Sequence, residues 1–192
     1  RAVIDEQKGL IILNIPALAT PLNLKLFLAK NDLNQLAQLA TNTSPENLTP
    51  LTKGGPGRWP QQLPAIVVSS NEDGGFAWDR ISRPLENPWK SQLRLSGVDF
   101  SSDGQSAYVC CWDGEVWKVD GIDADQPTIT WRRIAAGLFQ PLGIKVVDDQ
   151  IYITCRDQLV VLRDFNNDGE TDFYEAVNSD HQVTEHFHEF AM

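Results

Sequence analysis

The chain has 192 residues, 42% of them hydrophobic, and a formal net charge of −10. That is enough for one ordinary domain or two small ones with a real core, and it excludes a globally disordered polymer. The acidic balance disfavours nucleic acid and anionic membranes, whose phosphates need clustered Lys and Arg; it suits solubility, cations, sugars or a basic partner.

No stretch reaches the roughly 18–20 apolar residues that span a bilayer, and the best candidate, residues 9–19, is interrupted by Asn14 and Pro16. No signal peptide is present, yet the chain begins at Arg1 and its last residues, Glu189-Phe190-Ala191-Met192, read as the start of a strand. The expectation is a fragment of a longer protein, for which a missing export signal carries no information. Three cysteines without a Cys-x-x-Cys pair, Cys110, Cys111 and Cys155, point to small buried packing residues rather than a disulfide framework or structural zinc. A vicinal Cys110–Cys111 disulfide is the alternative.

Residues 10–15 and the alternating run 22–28 read as strands. Asn31-Asp32 offers a helix cap, and Leu33, Leu36, Ala37 and Ala40 follow at helical spacing. Residues 1–50 are expected to be the closing part of a small β-rich, sandwich-like domain with one short helix. Residues 51–64, rich in Gly and Pro, are expected to be a linker.

From residue 65 onward the pattern is β. Runs 65–68 and 76–81 flank a turn, and 83–90, with two prolines and Trp89, reads as an ordered loop. Strands are expected over 93–100, 106–112, 115–119 and 129–134, then over 142–147, 150–155, 159–162 and 172–176. Ser102-Asp103-Gly104, Asp113-Gly114 and Asp148-Asp149 make the turns.

The second group repeats the first. Tyr108-Val109-Cys110-Cys111-Trp112-Asp113 is echoed by Tyr152-Ile153-Thr154-Cys155-Arg156-Asp157, 44 positions later. Without a gap the same offset lays Val116 on Val160 and Asp120 on Asp164, and Gly97 and Gly143 lead the copies. A period of about 40–50 residues made of short strands is the mark of β-propeller blades. Alternation sets Tyr108, Cys110 and Trp112 on one face and Val109 and Cys111 on the other. Both faces are apolar, as in a sheet sandwiched between neighbours.

Residues 164–175 carry the sharpest local motif, Asp-x-Asn-x-Asp-Gly followed by Asp172 and Glu175. Alternate oxygen side chains and a turn glycine suit a hard cation, so Asp164, Asn166, Asp168, Asp172 and Glu175 are candidate Ca²⁺ ligands in a strand–strand loop, with a structural role. An ion-free Asp/Asn/Gly turn is the alternative.

All three histidines, His181, His186 and His188, lie near the end. On a strand, His186 and His188 share a side. They stand as a candidate general base or substrate contact, as metal ligands lacking a visible third partner, or as ordinary surface histidines. Arg156, Asp157, Trp112 and Asp113 sit at matching hairpin tips and would share one rim, either as a sugar- or polyol-binding group or as packed turns. No phosphate-binding Gly motif and no Gly-x-Ser-x-Gly occurs, which disfavours nucleotide enzymes and serine hydrolases.

From about Gly54 to Met192 the wording resembles the N-terminal propeller region of large exported bacterial proteins of the membrane-bound dehydrogenase or haem-binding type. The segments that carry it include Gly54-Gly55-Pro56-Gly57-Arg58-Trp59-Pro60, Trp112-Asp113-Gly114-Glu115-Val116-Trp117, Gln140-Pro141-Leu142-Gly143, Tyr152-Ile153-Thr154-Cys155-Arg156-Asp157-Gln158 and His186-Phe187-His188-Glu189-Phe190. The resemblance implies a propeller similar to the six-bladed soluble quinoprotein glucose and sorbosone dehydrogenases. Residues 65–192 would supply about two blades of an incomplete ring. It further implies periplasmic or extracellular location, oxidation of a sugar or polyol with pyrroloquinoline quinone, His186 or His188 as base, and electrons passed to a cytochrome domain carrying haem c outside this sequence. A non-catalytic propeller that binds carbohydrate or a protein partner is the competing expectation.

Overall fold

The computed structural model describes residues 2–5, 10–13, 15, 17–20, 22–27, 33–69, 75–122 and 129–180. The chain divides into two compact units, Arg1–Pro50 and Leu51–Met192.

In the first unit, strands β1 (Ala2–Asp5) and β2 (Leu10–Leu13) form an antiparallel pair, Ala2 opposite Leu13. Helix α1 (Leu33–Asn42) follows the predicted spacing. Near its C-terminal end the Thr41 hydroxyl donates back to the carbonyls of Ala37 and Gln38, both at 3.0 Å. The strand expected over 22–28 is not found: residues 22–27 belong to no strand, and 22–26 are exposed. Alternation alone does not make a strand; it needs a backbone partner to take its N–H and C=O groups.

Every strand described in the second unit pairs antiparallel. Its elements are β3 (Gln62–Pro64), β4 (Val67–Ser69), β5 (Asp79–Ile81), β6 (Leu95–Phe100), β7 (Ser106–Cys111), β8 (Val116–Asp120), β9 (Thr130–Ala135), β10 (Gly143–Val147), β11 (Gln150–Thr154), β12 (Leu159–Arg163) and β13 (Phe173–Asn178). Strands β6 to β9 form a four-stranded meander, with β3 added beyond β9 to give the order β3-β9-β8-β7-β6. Strands β10 to β13 form a second meander, and β4 and β5 form a separate pair. The expectation that 51–64 is a linker is thus corrected. Gln62–Pro64 is a strand paired to Arg132–Thr130, and residues 54–59 are tied to a loop more than a hundred positions away.

Strand registers show how closely the two meanders correspond. Gly97 faces Cys110, and Gly143 faces Thr154. Tyr108 opposes Lys118, and Tyr152 opposes Val161. Each meander has a β-bulge before its last strand, at Val116/Trp117 and at Leu159/Val160. The gapless offset fails here. It holds along β7 and β11, but past the hairpin Trp117 aligns with Val160 because the second hairpin is one residue shorter. Cys111 N–H bonds the Glu115 carbonyl at 2.8 Å in the first, whereas Cys155 N–H bonds Gln158 at 2.8 Å in the second. The bulge positions keep the correspondence, so Ile134 matches Val177.

The alternation of Tyr108 and Cys110 against Val109 and Cys111 is realised as two cores. Cys110, Val116, Ile134, Ile153, Cys155, Val160 and Leu162 bury one another in the core shared by the two meanders, with Tyr108, Ile144 and Ile151 packed on it. Ala107, Val109, Cys111, Trp117, Val119 and Trp131 form the other core, on the opposite face of the first meander. Leu63, Ala65, Val67 and Ile81 close over it. The inner strands of the two meanders are joined by Asp99, whose carboxylate accepts the Val146 N–H at 2.7 Å and meets Lys145 Nζ at 2.9 Å.

Candidate functional site

The two groups singled out in the sequence fall at opposite ends of the meanders, because successive antiparallel strands alternate their connections between two ends. Hairpins 112–115 and 155–158 lie at one end, the loop 164–172 at the other.

At the first end, three loops are continuous. Leu138 N–H bonds the Gly114 carbonyl at 3.1 Å, and Arg156 N–H bonds the Phe139 carbonyl at 2.9 Å. The connection between the meanders therefore bridges the Asp113-Gly114 and Arg156-Asp157 tips into one rim. Gly114 has φ +99° and its missing Cβ leaves room for the Leu138 carbonyl oxygen, a close approach only glycine permits. The rim side chains are held from behind. Arg94 reaches Asp113 at 2.5 Å, holding that carboxyl below the usual carboxylate range. Arg156 donates to Gln140 Oε1 at 3.0 Å with its guanidinium 5.7 Å from the Phe139 ring. Trp112 is half-buried beside them, its N–H on the Arg94 carbonyl. Asp157 Oδ1 is buried without a hydrogen-bond partner.

The three thiols lie within the two cores. Cys110, Cys111 and Cys155 are free and buried. Burial pushes the Cys111 and Cys155 thiols up to about 12. Cys110 and Cys111 serve opposite faces of β7.

At the second end, the motif loop folds on its own backbone. Asp164 accepts N–H bonds from Asp168 at 3.3 Å and Gly169 at 2.7 Å. Asn166 Oδ1 accepts from Asp168 at 3.0 Å, Asp168 Oδ1 from Glu170 at 2.8 Å, and Asp172 Oδ2 from Phe165 at 2.9 Å. These bonds are why the Asp/Asn/Gly spacing makes a tight turn. Among the described residues, no group of three or more His, Cys, Asp and Glu side chains is arranged to hold a metal ion. Glu175 leaves the expected ligand set: it pairs with Arg163 at 2.6 Å across β12 and β13. Asp164, Asn166, Asp168 and Asp172 remain on the loop. A carboxylate offers about four lone-pair sites, so single N–H bonds leave acceptor capacity on each oxygen.

What sits on this loop is not legible from local spacing. Segment 54–59 crosses it as a strap. Gly55 N–H bonds Asp172 Oδ1 at 2.8 Å, and Asn166 Nδ2 donates to the Gly55 carbonyl at 2.7 Å. Glu170 is the anchor. Its Oε2 accepts the N–H groups of Arg58 at 2.6 Å and Trp59 at 2.8 Å, and its Oε1 takes Arg58 Nε at 2.9 Å. Trp59 then lies between two guanidinium groups, Arg58 at 4.5 Å and Arg133 at 4.4 Å from its ring centre. Arg133 also lies 4.1 Å from the Trp89 ring centre, and it pairs with buried Glu115 at 2.7 Å. Glu115 Oε2 accepts the Trp117 indole N–H at 3.1 Å. Arg133 thus stacks within a cage that sequence alternation alone would place on a plain outer strand.

A polar cleft of about 610 Å³ opens beside the loop, between the meanders, lined among others by Tyr108, Lys118, Asp120, Arg132, Asp149 and Arg163. Of the predicted residues, the two hairpin tips are each bonded to the connection at 138–139, and Asp164, Asn166, Asp168 and Asp172 share one loop. His181, His186 and His188 lie outside the described residues. Comparison of the chain with protein-family models, with curated proteins and with solved structures returns no match.

Proposed function

We propose that the two meanders are consecutive blades of a β-propeller, and that the protein belongs to a secreted oxidoreductase of the quinoprotein type acting on a sugar or polyol. The observation that carries this reading is the rim. Two hairpin tips at matching repeat positions, Trp112-Asp113 and Arg156-Asp157, are joined into one surface through Leu138 and Phe139. An indole, a guanidinium and carboxylates offer a polyol both a stacking face and paired donors and acceptors. In this reading His186 or His188 would serve as the base for the alcohol proton, and a bound pyrroloquinoline quinone would supply the hydride-accepting chemistry, with a cytochrome as the electron acceptor.

Calcium belongs to the opposite end, on Asp164, Asn166, Asp168 and Asp172. Its part there is to neutralise clustered carboxylates and pin the turn, away from the rim chemistry. Dye-linked oxidation across a broad sugar and polyol panel, with and without added quinone and Ca²⁺, tests the enzymatic reading; no turnover on any substrate would sink it.

A non-catalytic propeller that binds carbohydrate or protein is the second reading. It is favoured by the Arg94–Asp113 and Arg156–Gln140 contacts, which hold the rim polar groups in fixed positions suited to recognition. Glycan binding without turnover would select it.

A further inference from the structure

In a chain of formal net charge −10, one cavity gathers cations. It measures about 600 Å³, and its whole lining comes from residues 83–94 in the connection from β5 to β6, with Arg83, Lys90 and Arg94 on its wall. Glu86 also lines it, and Asp113 reaches Arg94 from the neighbouring rim. Three cations against two carboxylates leave one positive charge uncompensated. Donors are left over as well. Asp113 takes Arg94 Nε and Nη2, and Arg83 gives Nη1 to the Leu93 carbonyl at 2.7 Å. The remaining nitrogens of both guanidiniums, and the Lys90 ammonium, make no hydrogen bond or ion pair among the described residues. The loop is also built in advance. Asn87 Oδ1 accepts the Ser91 N–H and hydroxyl, both at 3.1 Å, and Asn87 Nδ2 donates to the carbonyls of Ser91 at 2.9 Å and Pro84 at 3.2 Å. Trp89 anchors it against Trp117, with ring centres 5.7 Å apart. Lys90 holds φ +54°, a left-handed backbone that Gly or Asn adopts more readily and that clusters where ligands are gripped.

We propose that this cavity binds a small organic carboxylate. One uncompensated charge matches a carboxylate better than a phosphate ester, which carries close to two charges at neutral pH. The planar forks of Arg83 and Arg94 suit the two oxygens of a carboxylate, and Lys90 adds a point charge. The volume lies within the range of small-molecule sites. Leu85, 67% exposed, and buried Leu93 supply an apolar side for the body of the ligand. Because the loop is fixed beforehand, binding has little ordering to offset. The cavity adjoins the rim, since the Arg94 carbonyl accepts the Trp112 N–H at 2.8 Å. The inference does not depend on the enzymatic reading.

Isothermal titration of the full chain with sodium phenylacetate tests it. Phenylacetamide, which lacks the charge, and acetate, which lacks the body, are the controls. Expected is saturable binding of phenylacetate with a Kd of about 1 mM or tighter, each control being at least about tenfold weaker. Binding should weaken as salt is raised, because the cations face solvent. Lys90→Asn removes one cation and suits the left-handed backbone, so it should keep the wild-type Tm and bind phenylacetate at least about fivefold more weakly. Leu85→Ser, at an exposed position, should weaken phenylacetate while leaving Tm unchanged. Three results would overturn the proposal: no phenylacetate binding with ligand at about 10 mM; phenylacetamide binding as tightly as the acid; or a folded Lys90→Asn that binds as wild type does.

Discussion

Replacing Glu170 tests whether the strap is part of the second unit's structure or merely lies on it. Glu170 is 7% exposed and accepts two backbone N–H groups and one guanidinium N–H. Glu170→Ala strands the N–H groups of Arg58 and Trp59. A buried donor left without a partner costs about 1–3 kcal/mol. The strap is part-buried and water can reach some of it, so the lower half of that range applies to each, giving about 2–4 kcal/mol for the two. The ion pair adds little, because the Arg58 side chain is 59% exposed and such pairs contribute about 0–1 kcal/mol. Glu170→Gln keeps an acceptor for the N–H groups and should cost no more than about 1 kcal/mol. Urea unfolding followed by tryptophan fluorescence reads both, since Trp59 is released with the strap. Loss of less than about 0.5 kcal/mol in Glu170→Ala, within the range of ordinary surface changes, would refute the strap's role.

Arg133→Ala should cost about 3–5 kcal/mol, because it leaves Glu115 buried and uncompensated; a midpoint shift in the same urea assay measures it. Gly114→Ala should destabilise by about 1–3 kcal/mol through strain at positive φ and the collision with the Leu138 carbonyl, read as a drop in Tm. An aromatic disulfide reagent at pH 8 should modify none of the three thiols in the native protein and all three after denaturation, since burial raises Cys111 and Cys155 to about 12. Asp99, held low by the Val146 N–H and then Lys145, and Asp113, held low by Arg94, have depressed folded pKa values. Their stabilisation is present above the unfolded value near pH 4 and is lost as pH falls through the folded values. Asp99→Asn should flatten the fall in stability below about pH 4, as seen in urea midpoints against pH.

Much of the β architecture was legible because it rests on local signals. Alternation along β7 assigned Tyr108 and Cys110 to one face and Val109 and Cys111 to the other, and Asp113-Gly114 and Asp148-Asp149 marked hairpins. Helix α1 followed from Leu33, Leu36, Ala37 and Ala40. What was missed is non-local. Gln62–Pro64 becomes a strand only because β9, some seventy positions later, has a free edge. Glu170 reads as a loop carboxylate until Arg58 and Trp59 arrive above it. Arg133 looks like an outer-strand cation until Trp59, Trp89 and Glu115 surround it. The residue-by-residue offset failed past Cys111 because sequence identity at Val116 and Val160 outweighed a one-residue change in hairpin length that only the register exposes. Glu175 fitted the spacing of a loop ligand, but β-pairing turned it toward Arg163.

Methyl-selective NMR gives the most direct test of the repeated, stacked meanders on which the functional reading stands. Cross-strand contacts should join Tyr108 to Lys118 and Tyr152 to Val161, and methyl contacts should join Ile134 of the first meander to Ile151 and Ile153 of the second. Equivalent pairings in both sheets with those methyl contacts between them are the expected result. Methyl contacts confined within each sheet, or a different strand partner for Tyr152, would contradict it.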